Sequence, residues 1–274
     1  MVEAGRRADH EAEVLDRRAL SSTIGSDLAF ALELADLADS ISLPRFRAAD
    51  LHVDTKPDFT PVSDADRAVE EALRAAIEER RPGEVVLGEE GGGEEGVARW
   101  VVDPIDGTRN FVRGIPIWAT LIALERKGRA VVGVASAPAL GHRWWAARGE
   151  GAYRNGGRLH VSAVGRVEDA TFCYTSARSF AEQGLAEQFL ALAKRSWVAR
   201  GFGDFWMHML VAEGAAEFAV DGALERWDTA AVEVIVEEAG GRFSGLDGAP
   251  HEAGGAALSS NGLLHEDVVR AFAG

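Results

Sequence analysis

The sequence predicts an α/β protein in which mixed sheets are layered between helices. Leu28, Leu32 and Ala35 recur at helical spacing, which predicts an amphipathic helix near the start of the chain. Apolar runs at residues 118–124 and 131–135 flank a short polar turn, and this pattern predicts a β-hairpin. The second half alternates short apolar runs with helical patterns, so strands and helices are expected to follow one another there.

The first two helices are bounded by recognisable signals. We expect Pro44 to end the first helix, and the prolines and polar residues of segment 54–61 to form a loop. Ser63 then begins a second helix, with Asp66 three residues later as in a capping box. Its apolar face is predicted at three positions with helical spacing: Val69, Leu73 and Ile77.

Helical spacing and short apolar runs predict the remaining helices and strands. Residues 85–87 predict a short buried strand, and residues 143–147 extend an antiparallel sheet beyond the hairpin. In the second half we expect strands at 170–174 and 217–220, a helix around 182–195, another at 205–213, and a helix from Asp228 that stops at Gly240.

Composition limits the classes of partner. The chain has 274 residues, is 47% hydrophobic and carries a formal net charge of −15. Nucleic acid is bound mainly through clustered Lys and Arg, so this balance argues against a nucleic-acid partner. No apolar run approaches the ~18 residues of a membrane span, and no membrane partner is expected. Cys173 is the only cysteine, which suits a reducing compartment, and we expect a cytoplasmic protein.

Three regions are predicted along the chain. Residues 1–24 form a polar N-terminal extension rich in acids and arginines, which we expect to be partly disordered or loosely helical. This extension lacks the apolar segment of a secretory signal. Residues 25–164 form an N-terminal α+β half, and residues 165–274 form a C-terminal α/β half.

One short segment combines the chemistry of a metal site with that of a phosphate site. Val101–Val102 predicts a strand, and we expect Pro104 to end it, because proline cannot donate to a sheet ladder. Asp103 and Asp106 are thereby placed on one bend. Gly107–Thr108 follows, and the free N–H groups of a helix start bind anions. Carboxylates beside such a cradle suit Mg²⁺, which is usually held by a few acids together with phosphate oxygens.

Three motifs together resemble those of a known family. They are Gly88–Glu90, the string Asp103–Thr108 followed by Asn110–Phe111, and Trp227–Ala231. Each resembles a motif of the inositol monophosphatase family of Mg²⁺-dependent phosphatases. The resemblance implies the layered α/β/α/β/α sandwich of the inositol monophosphatase and fructose-1,6-bisphosphatase type over nearly all of residues 25–274.

The resemblance also implies a set of metal ligands. Glu89, Asp103 and the backbone carbonyl of Ile105 are expected to bind a first ion. Asp103, Asp106 and Asp228 are expected to bind a second. The cofactor implied is Mg²⁺, with two or three ions in the site. Several carboxylates around divalent cations leave a bound phosphate facing a nearly neutral cluster.

The same resemblance implies roles in catalysis. The Thr108 hydroxyl, with Glu89 and Asp64 as orienting acids, is expected to position the attacking water. Gly107 and Thr108 are expected to donate backbone N–H groups to phosphate oxygens. Asp64 has an alternative interpretation, because an acid in the first helical turn also stabilises the helix dipole. Lys56 is either a lysine that helps to close the site or a solvated loop residue.

Residues outside the metal motifs are expected to select the substrate. Asp204 offers a carboxylate to a cationic substrate, and Asp221 falls where the family has a substrate-touching acid. Arg200 either approaches the substrate or a partner subunit, or is a surface arginine. The full set expected to contact substrate is Glu89, Ile105, Asp106, Gly107, Thr108, Arg200, Asp204, Asp221 and Asp228.

Further segments are similar to the actinobacterial histidinol-phosphate phosphatases. These segments are Asp54–Asp58, Asn110–Ala119, Ser136–Leu140, Arg143–Gly149 and Gly203–Phe205. The resemblance implies a Mg²⁺-dependent hydrolase of a small-molecule phosphate monoester, histidinol phosphate, acting in histidine biosynthesis as a homodimer. Two alternatives stay open: an inositol-1-monophosphatase or other phosphatase of the same family, and an inactive regulatory subunit that binds metal and phosphate.

Overall fold

The computed structural model describes residues 2–57, 59–93 and 96–273, with side chains from Ile24 onward. Helix α1 spans Val2–Arg45, so Pro44 lies inside its last turn. The expectation that residues 1–24 are partly disordered or loosely helical stays a prediction, and the side chains of residues 1–23 lie outside the described set. A small hairpin of β1 (Val53–Thr55) and β2 (Pro61–Ser63) leads into α2 (Asp64–Arg80).

The first large sheet has seven strands in the order in which they follow one another in the chain. β3 pairs in parallel with β4, and every other pair is antiparallel. The strands are β3 (Val85–Gly88), β4 (Ala98–Asp106), β5 (Ala119–Arg126), β6 (Arg129–Ala137), β7 (His142–Ala147), β8 (Gly151–Arg154) and β9 (Gly157–Arg158), and the short helix α3 (Thr108–Val112) follows β4.

The second sheet has five strands, with parallel pairs on one side and antiparallel pairs on the other. Its spatial order is β11-β10-β12-β14-β13. The elements are β10 (Thr171–Tyr174), α4 (Ala177–Glu182), α5 (Ala186–Arg195), β11 (Val198–Gly201), α6 (Asp204–Ala212), β12 (Phe218–Leu224), α7 (Arg226–Glu238), β13 (Arg242–Gly245), β14 (Gly255–Ser260) and α8 (His265–Ala273).

Three apolar clusters join these elements into five layers. α1 and α2 cover one face of the seven-stranded sheet, where Phe30 packs edge-on against Trp100. α6 and α7 lie between the two sheets, and their apolar residues share one core with strands of both. α4, α5 and α8 cover the outer face of the second sheet around Phe172 and Phe180. The order is therefore α/β/α/β/α, as predicted.

The strand that carries the metal motif runs further than expected. β4 extends through Pro104 to Asp106, and its pairing with β5 shifts register between Asp103 and Asp106. A proline is tolerated at such a bulge because no ladder hydrogen bond is required there. The prediction that Pro104 ends the strand was therefore wrong. The bulge nonetheless bends the chain and brings both acids to one edge of the sheet.

The helix expected around residues 182–195 is α5, which begins four residues later than predicted, and the shorter helix α4 (Ala177–Glu182) before it was not predicted. α4 ends at Glu182 and α5 begins at Ala186, with Gly184 in the left-handed region at φ 74° between them. The Leu185 N–H donates a hydrogen bond to the Phe180 carbonyl at 2.7 Å, which caps the C-terminal end of α4. No helix in the described part of the chain is long and apolar enough to cross a membrane.

Candidate active site

Three carboxylates converge where β4 meets the start of α7. One ligand oxygen from each of Asp103, Asp106 and Asp228 can be chosen so that all three lie within 4.8 Å of one another. Asp103 and Asp106 flank the bulge of β4, and Asp228 lies in the first turn of α7. The structure thus brings together three of the predicted metal ligands from positions up to 125 residues apart in the chain.

Backbone donors orient each of these carboxylates. The Ile105 N–H donates to Asp103 Oδ1 at 2.9 Å. The Phe205 N–H donates to Asp106 Oδ2 at 2.6 Å, and the Glu225 N–H donates to Asp228 Oδ2 at 2.7 Å. The second of these bonds joins the start of α6 to the metal motif. The acids therefore hold their positions through main-chain geometry.

The electrostatics of this cluster favour a cation. Burial, followed by the charges of neighbouring acids, holds the pKa of Asp103 and of Asp106 well above the ordinary range. Burial raises the pKa of Asp228 to about 7, and the charge of Glu89 acts in the same direction. Such groups ionise together only when positive charge compensates them. Hard oxygen donors in this arrangement fit a divalent ion such as Mg²⁺.

Glu89 lies beside the cluster and shares a lysine with its neighbour. Lys56 Nζ donates to Glu89 Oε1 at 2.8 Å and to Glu90 Oε1 at 2.7 Å. Lys56 therefore lies at the site, and the alternative of a solvated loop lysine does not hold. Burial is the largest influence on its pKa and lowers it, but the two carboxylates outweigh burial and raise the pKa overall.

Glu70 is a positioning residue that the sequence reasoning missed. Its buried carboxylate accepts the N–H groups of Glu90 and Gly91, each at 2.8 Å, and pairs with Arg74. It thereby fixes the turn that presents Glu89. The sequence did contain a signal for this role. Glu70 adjoins the apolar face of α2, next to Val69, and an acid in such a position is buried only when it is paired.

Thr108 contacts an acid, but not the predicted one. Thr108 Oγ1 lies 3.2 Å from Asp66 Oδ1 and 3.0 Å from the Ile105 carbonyl oxygen. Asp66 is fully buried, and its Oδ2 accepts the N–H and the hydroxyl of Ser63. Burial raises the pKa of Asp66. Asp66 therefore occupies the place that was assigned to Asp64.

Asp64 points away from Thr108. Its Oδ2 accepts from Arg45 Nη2 at 2.7 Å, and its side chain is 39% exposed. Two residues along an α-helix correspond to a rotation of about 200°, so Asp64 and Asp66 project from nearly opposite sides of α2. The expected partnership of Asp64 with Thr108 is therefore wrong, and Asp66 is the acid that Thr108 contacts.

A tight turn lies where the phosphate cradle was predicted. Gly107 has φ 85°, a left-handed conformation that favours glycine, and α3 begins at the next residue. Gly107, Thr108 and Arg109 line the cavity together with Glu89, Asp106 and Asp228. The cradle therefore opens onto the same space as the carboxylates.

The cavity is much larger than a phosphate group, and further acids line its wall. Its volume is about 810 Å³, and its wall includes Asp204 and Asp221. Asn110 Nδ2 donates to Asp204 Oδ2 at 2.8 Å. Thr175 Oγ1 and the Gly222 N–H donate to the two oxygens of Asp221. Burial, followed by the charge of Asp221, raises the pKa of Asp204 to about 6.

Arg200 is not among the residues that line this cavity. It lies on β11, the edge strand of the five-stranded sheet, and its side chain is exposed with Nη1 3.1 Å from the Ala199 carbonyl. Substrate contact within one subunit is therefore not supported. The remaining alternatives for Arg200 are a partner subunit or a plain surface position.

Comparison with protein-family profiles matches residues 26–273 to the Inositol monophosphatase family. The chain belongs to this family. Among curated relatives, the histidinol-phosphatase of Mycobacterium tuberculosis is 50% identical over 250 residues, covering 89% of this chain and 96% of the relative. The histidinol-phosphatase of Streptomyces coelicolor is 49% identical over 253 residues, covering 89% and 95%.

Solved structures of inositol monophosphatases share the fold. One from Zymomonas mobilis has a TM-score of 0.82 and 32% identity, covering 91% of this chain and 98% of that one. The Thermotoga maritima IMPase has a TM-score of 0.83 and 31% identity, covering 90% and 97%. The predicted family and the predicted α/β/α/β/α sandwich are thus confirmed for this inositol monophosphatase family member.

Proposed function

We propose that this protein is a phosphomonoesterase that hydrolyses histidinol phosphate to histidinol and inorganic phosphate. The acidic wall formed by Asp204 and Asp221 carries this proposal, because histidinol bears an ammonium group and inositol is neutral. The two relatives named histidinol-phosphatase, each about half identical to this chain over most of its length, support the same substrate.

Five residues would hold the metal ions. They are Glu89, Asp103, the carbonyl of Ile105, Asp106 and Asp228, and we propose Mg²⁺ in two or three positions. When bound, divalent cations lower the pKa of water and neutralise charge on the transferring phosphoryl group. The fit rests on three converging carboxylates, one buried and two half-buried, whose pKa values are raised by desolvation and by the charges of neighbouring acids.

The protein itself binds the phosphate and orients the water. Gly107 and Thr108 present the start of α3 to the phosphate oxygens. Thr108 Oγ1 has two acceptors within reach, Asp66 Oδ1 and the Ile105 carbonyl. With that carbonyl committed to a metal ion, the Thr108 proton would go to Asp66, which leaves the hydroxyl lone pairs free to accept a hydrogen bond from the attacking water. Lys56 and Glu70 keep Glu89 at the edge of the cavity.

Asp204 and Asp221 would bind the alcohol part of the substrate. Both line the cavity, with Asp204 next to the glycine turn, since a Cβ atom at Gly107 would lie 3.2 Å from Asp204 Oδ2. Both are fixed by hydrogen bonds before any ligand enters. Preorganised carboxylates bind an ammonium without first losing side-chain freedom. The preference for a cationic alcohol follows from this wall.

A paired assay tests the substrate. Phosphate release is measured with histidinol phosphate and with inositol 1-phosphate, each with and without Mg²⁺. We expect Mg²⁺-dependent release, with kcat/KM for histidinol phosphate higher by about 100-fold, because a site built for a polar group rejects analogues that lack it. A preference for inositol 1-phosphate would support the inositol monophosphatase alternative, and no release from either ester would support an inactive regulatory subunit.

We further propose that the protein is a cytoplasmic homodimer. The exposed edge strand β11 leaves Arg200 accessible to a partner subunit, and the single cysteine, Cys173, is buried and unpaired, as suits a reducing compartment. Light scattering coupled to size-exclusion chromatography should give twice the chain mass of 29.2 kDa. A mass equal to one chain would contradict the dimer.

A further inference from the structure

One wall of the substrate cavity carries a histidine that the proposed chemistry does not use. Along α6, Asp204, Phe205 and His208 all line the cavity. Asp204 and His208 are four residues apart, about one helical turn, and both side chains line the cavity although Asp204 itself has a left-handed φ of 49°. α6 therefore offers a carboxylate and an imidazole to the same ligand.

His208 is held firmly by one nitrogen and lacks a partner for the other. Nδ1 lies 2.7 Å from Ser259 Oγ, and the ring meets Phe243 edge-on at 5.9 Å. The side chain is 2% exposed, and Nε2 is buried without a hydrogen-bond partner in the described part of the chain. A buried polar atom without a partner costs free energy, so an unpaired nitrogen on a cavity wall needs an explanation.

His208 can also lie beside a positively charged ring of a ligand. Burial lowers the pKa of His208 to about 3, so its ring stays neutral across the physiological range. A neutral imidazole does not repel a protonated ring and offers one hydrogen bond at Nε2 in either tautomer. In histidinol, four bonds separate the ammonium nitrogen from the nearer ring nitrogen, which is compatible with one helical turn between Asp204 and His208.

We propose that His208 determines specificity by hydrogen-bonding through Nε2 to the imidazole ring of histidinol phosphate. This inference rests on the proposed function and extends it from the charge of the substrate to its ring. Asp204 takes the ammonium, His208 takes a ring nitrogen, and the phosphate lies at Gly107–Thr108. Ser259 acts as a positioning residue that sets the orientation of the His208 ring.

A pair of variants separates the two nitrogens of His208. His208→Asn keeps a polar group at the position of Nδ1, within reach of Ser259, and removes Nε2. His208→Gln places an amide near the position of Nε2. Both are assayed with histidinol phosphate and with phosphoethanolamine, an amino-alcohol ester that lacks the ring. Melting temperatures check that the variants are folded.

We expect the ratio of kcat/KM for histidinol phosphate to that for phosphoethanolamine to fall about tenfold in His208→Asn, mainly through KM, and to recover in part in His208→Gln. Equal losses with both substrates would overturn the ring contact and leave His208 a structural residue. If the wild-type enzyme released no phosphate from histidinol phosphate, the proposed function would fail first, and the ring contact with it.

A second measurement needs no variant. Histidinol and phenylalaninol have the same amino-alcohol group and rings of similar shape, but only histidinol has ring nitrogens. As competitive inhibitors of the wild-type enzyme, we expect histidinol to bind about tenfold more tightly. Equal inhibition constants would overturn the assignment of His208 to the ring.

Discussion

At the scale of single residues, the contact between Asp66 and Thr108 links the start of α2 to the hydroxyl that we propose orients the attacking water. Asp66 is fully buried, accepts from Ser63 through one oxygen and meets the Thr108 hydroxyl through the other. Its position is therefore fixed from both sides. A hydroxyl held in this way presents its lone pairs in one direction, which is what the orientation of a nucleophilic water requires.

The two acids of α2 provide a matched pair of variants. Asp66→Asn should lower kcat by about 100-fold or more, because the amide no longer accepts the Thr108 proton in the same geometry. Asp64→Asn should leave kcat within about twofold, since it removes only a partly exposed ion pair with Arg45. Steady-state phosphate release measures both. Similar losses in the two variants would contradict the assignment of Asp66.

Asp204 gives a test of charge recognition. Asp204→Asn keeps an oxygen for the Asn110 amide but removes the negative charge, so KM for histidinol phosphate should rise about tenfold. The loss with 4-nitrophenyl phosphate, which has no ammonium group, should be much smaller. Equal losses with the two esters would remove Asp204 from substrate recognition.

The three converging acids could be named from the sequence because their motifs resemble those of a known family, whereas the acid that contacts Thr108 could not. Asp64 and Asp66 both lie in the first turn of α2, and composition does not distinguish them. The choice depends on which side of the helix faces Thr108, and that is set by packing between α2 and the β4 edge. Arg200 was misplaced for a similar reason, because strand β11 proved to be an edge strand.

At the scale of elements, α7 is the helix whose placement matters most to the site. It carries Asp228 in its first turn and packs against the seven-stranded sheet, where its backbone lies very close to β6. A Cβ atom added to Gly133 would lie 2.5 Å from the Ala231 carbonyl oxygen and 3.0 Å from its Cα. Gly133 therefore sets the distance between the helix and the sheet that holds Asp103.

Filling this contact should disturb both stability and metal binding. Gly133→Ala should lower the free energy of unfolding by about 1–3 kcal/mol, because the added methyl group overpacks the interface. It should also raise the Mg²⁺ concentration needed for half-maximal activity, since α7 moves Asp228 away from its partners. Denaturant unfolding and a metal titration measure the two effects.

Gly165→Ala is the control for this prediction. Nothing lies within 4 Å of a Cβ atom at that position, and the residue does not have a positive φ. We expect its unfolding free energy to stay within about 0.5 kcal/mol of the wild-type value. If the two variants behaved alike, the close approach at Gly133 would not control the placement of α7.

Elements with strong periodicity were predictable, and their interruptions were not. The β5–β6 hairpin lies where the polar turn predicted it, with Lys127 and Gly128 both at positive φ. The extension of β4 through Pro104 depends on its pairing with β5, which the local sequence does not reveal. The short helix α4 before Gly184 was also missed, because six residues are too few to show a helical period.

At the scale of the whole molecule, the layered order depends on pairings between distant segments. In the second sheet β10 pairs with both β11 and β12, while β14 lies between β12 and β13. Hydrophobic periodicity finds each strand but does not choose its neighbours. The layering was predicted only in outline from the order of elements, and its full form came from the resemblance to a family of known architecture.

The same architecture buries several carboxylates in a chain of net charge −15, and this makes stability depend on metal and pH together. The pKa of Asp228 is raised from 3.8 to about 7 by burial, and that of Asp103 and of Asp106 is also raised. Between about pH 4 and 7 the folded protein therefore binds more protons than the unfolded chain. This difference makes the contribution of these acids to stability fall as pH rises.

Divalent metal should reverse that loss. Mg²⁺ binds the ionised carboxylates of the folded protein and competes with protons for them, so its affinity rises with pH. The increase in melting temperature caused by Mg²⁺ should therefore grow from pH 5 to pH 8. Burial also lowers the pKa of His208 to about 3 and that of His265 to about 4. These histidines affect the melting temperature equally with and without Mg²⁺, so they do not contribute to the increase that Mg²⁺ causes.

Scanning fluorimetry at pH 5, 6, 7 and 8, with Mg²⁺ or with a chelator, measures the effect. Asp228→Asn serves as the control, because it removes one of the three converging acids and should reduce the Mg²⁺ increment at every pH. An increment that is the same at pH 5 and pH 8 in the wild-type protein would mean that protons and metal do not compete for Asp103, Asp106 and Asp228. The burial of these acids would then need another source of compensating charge.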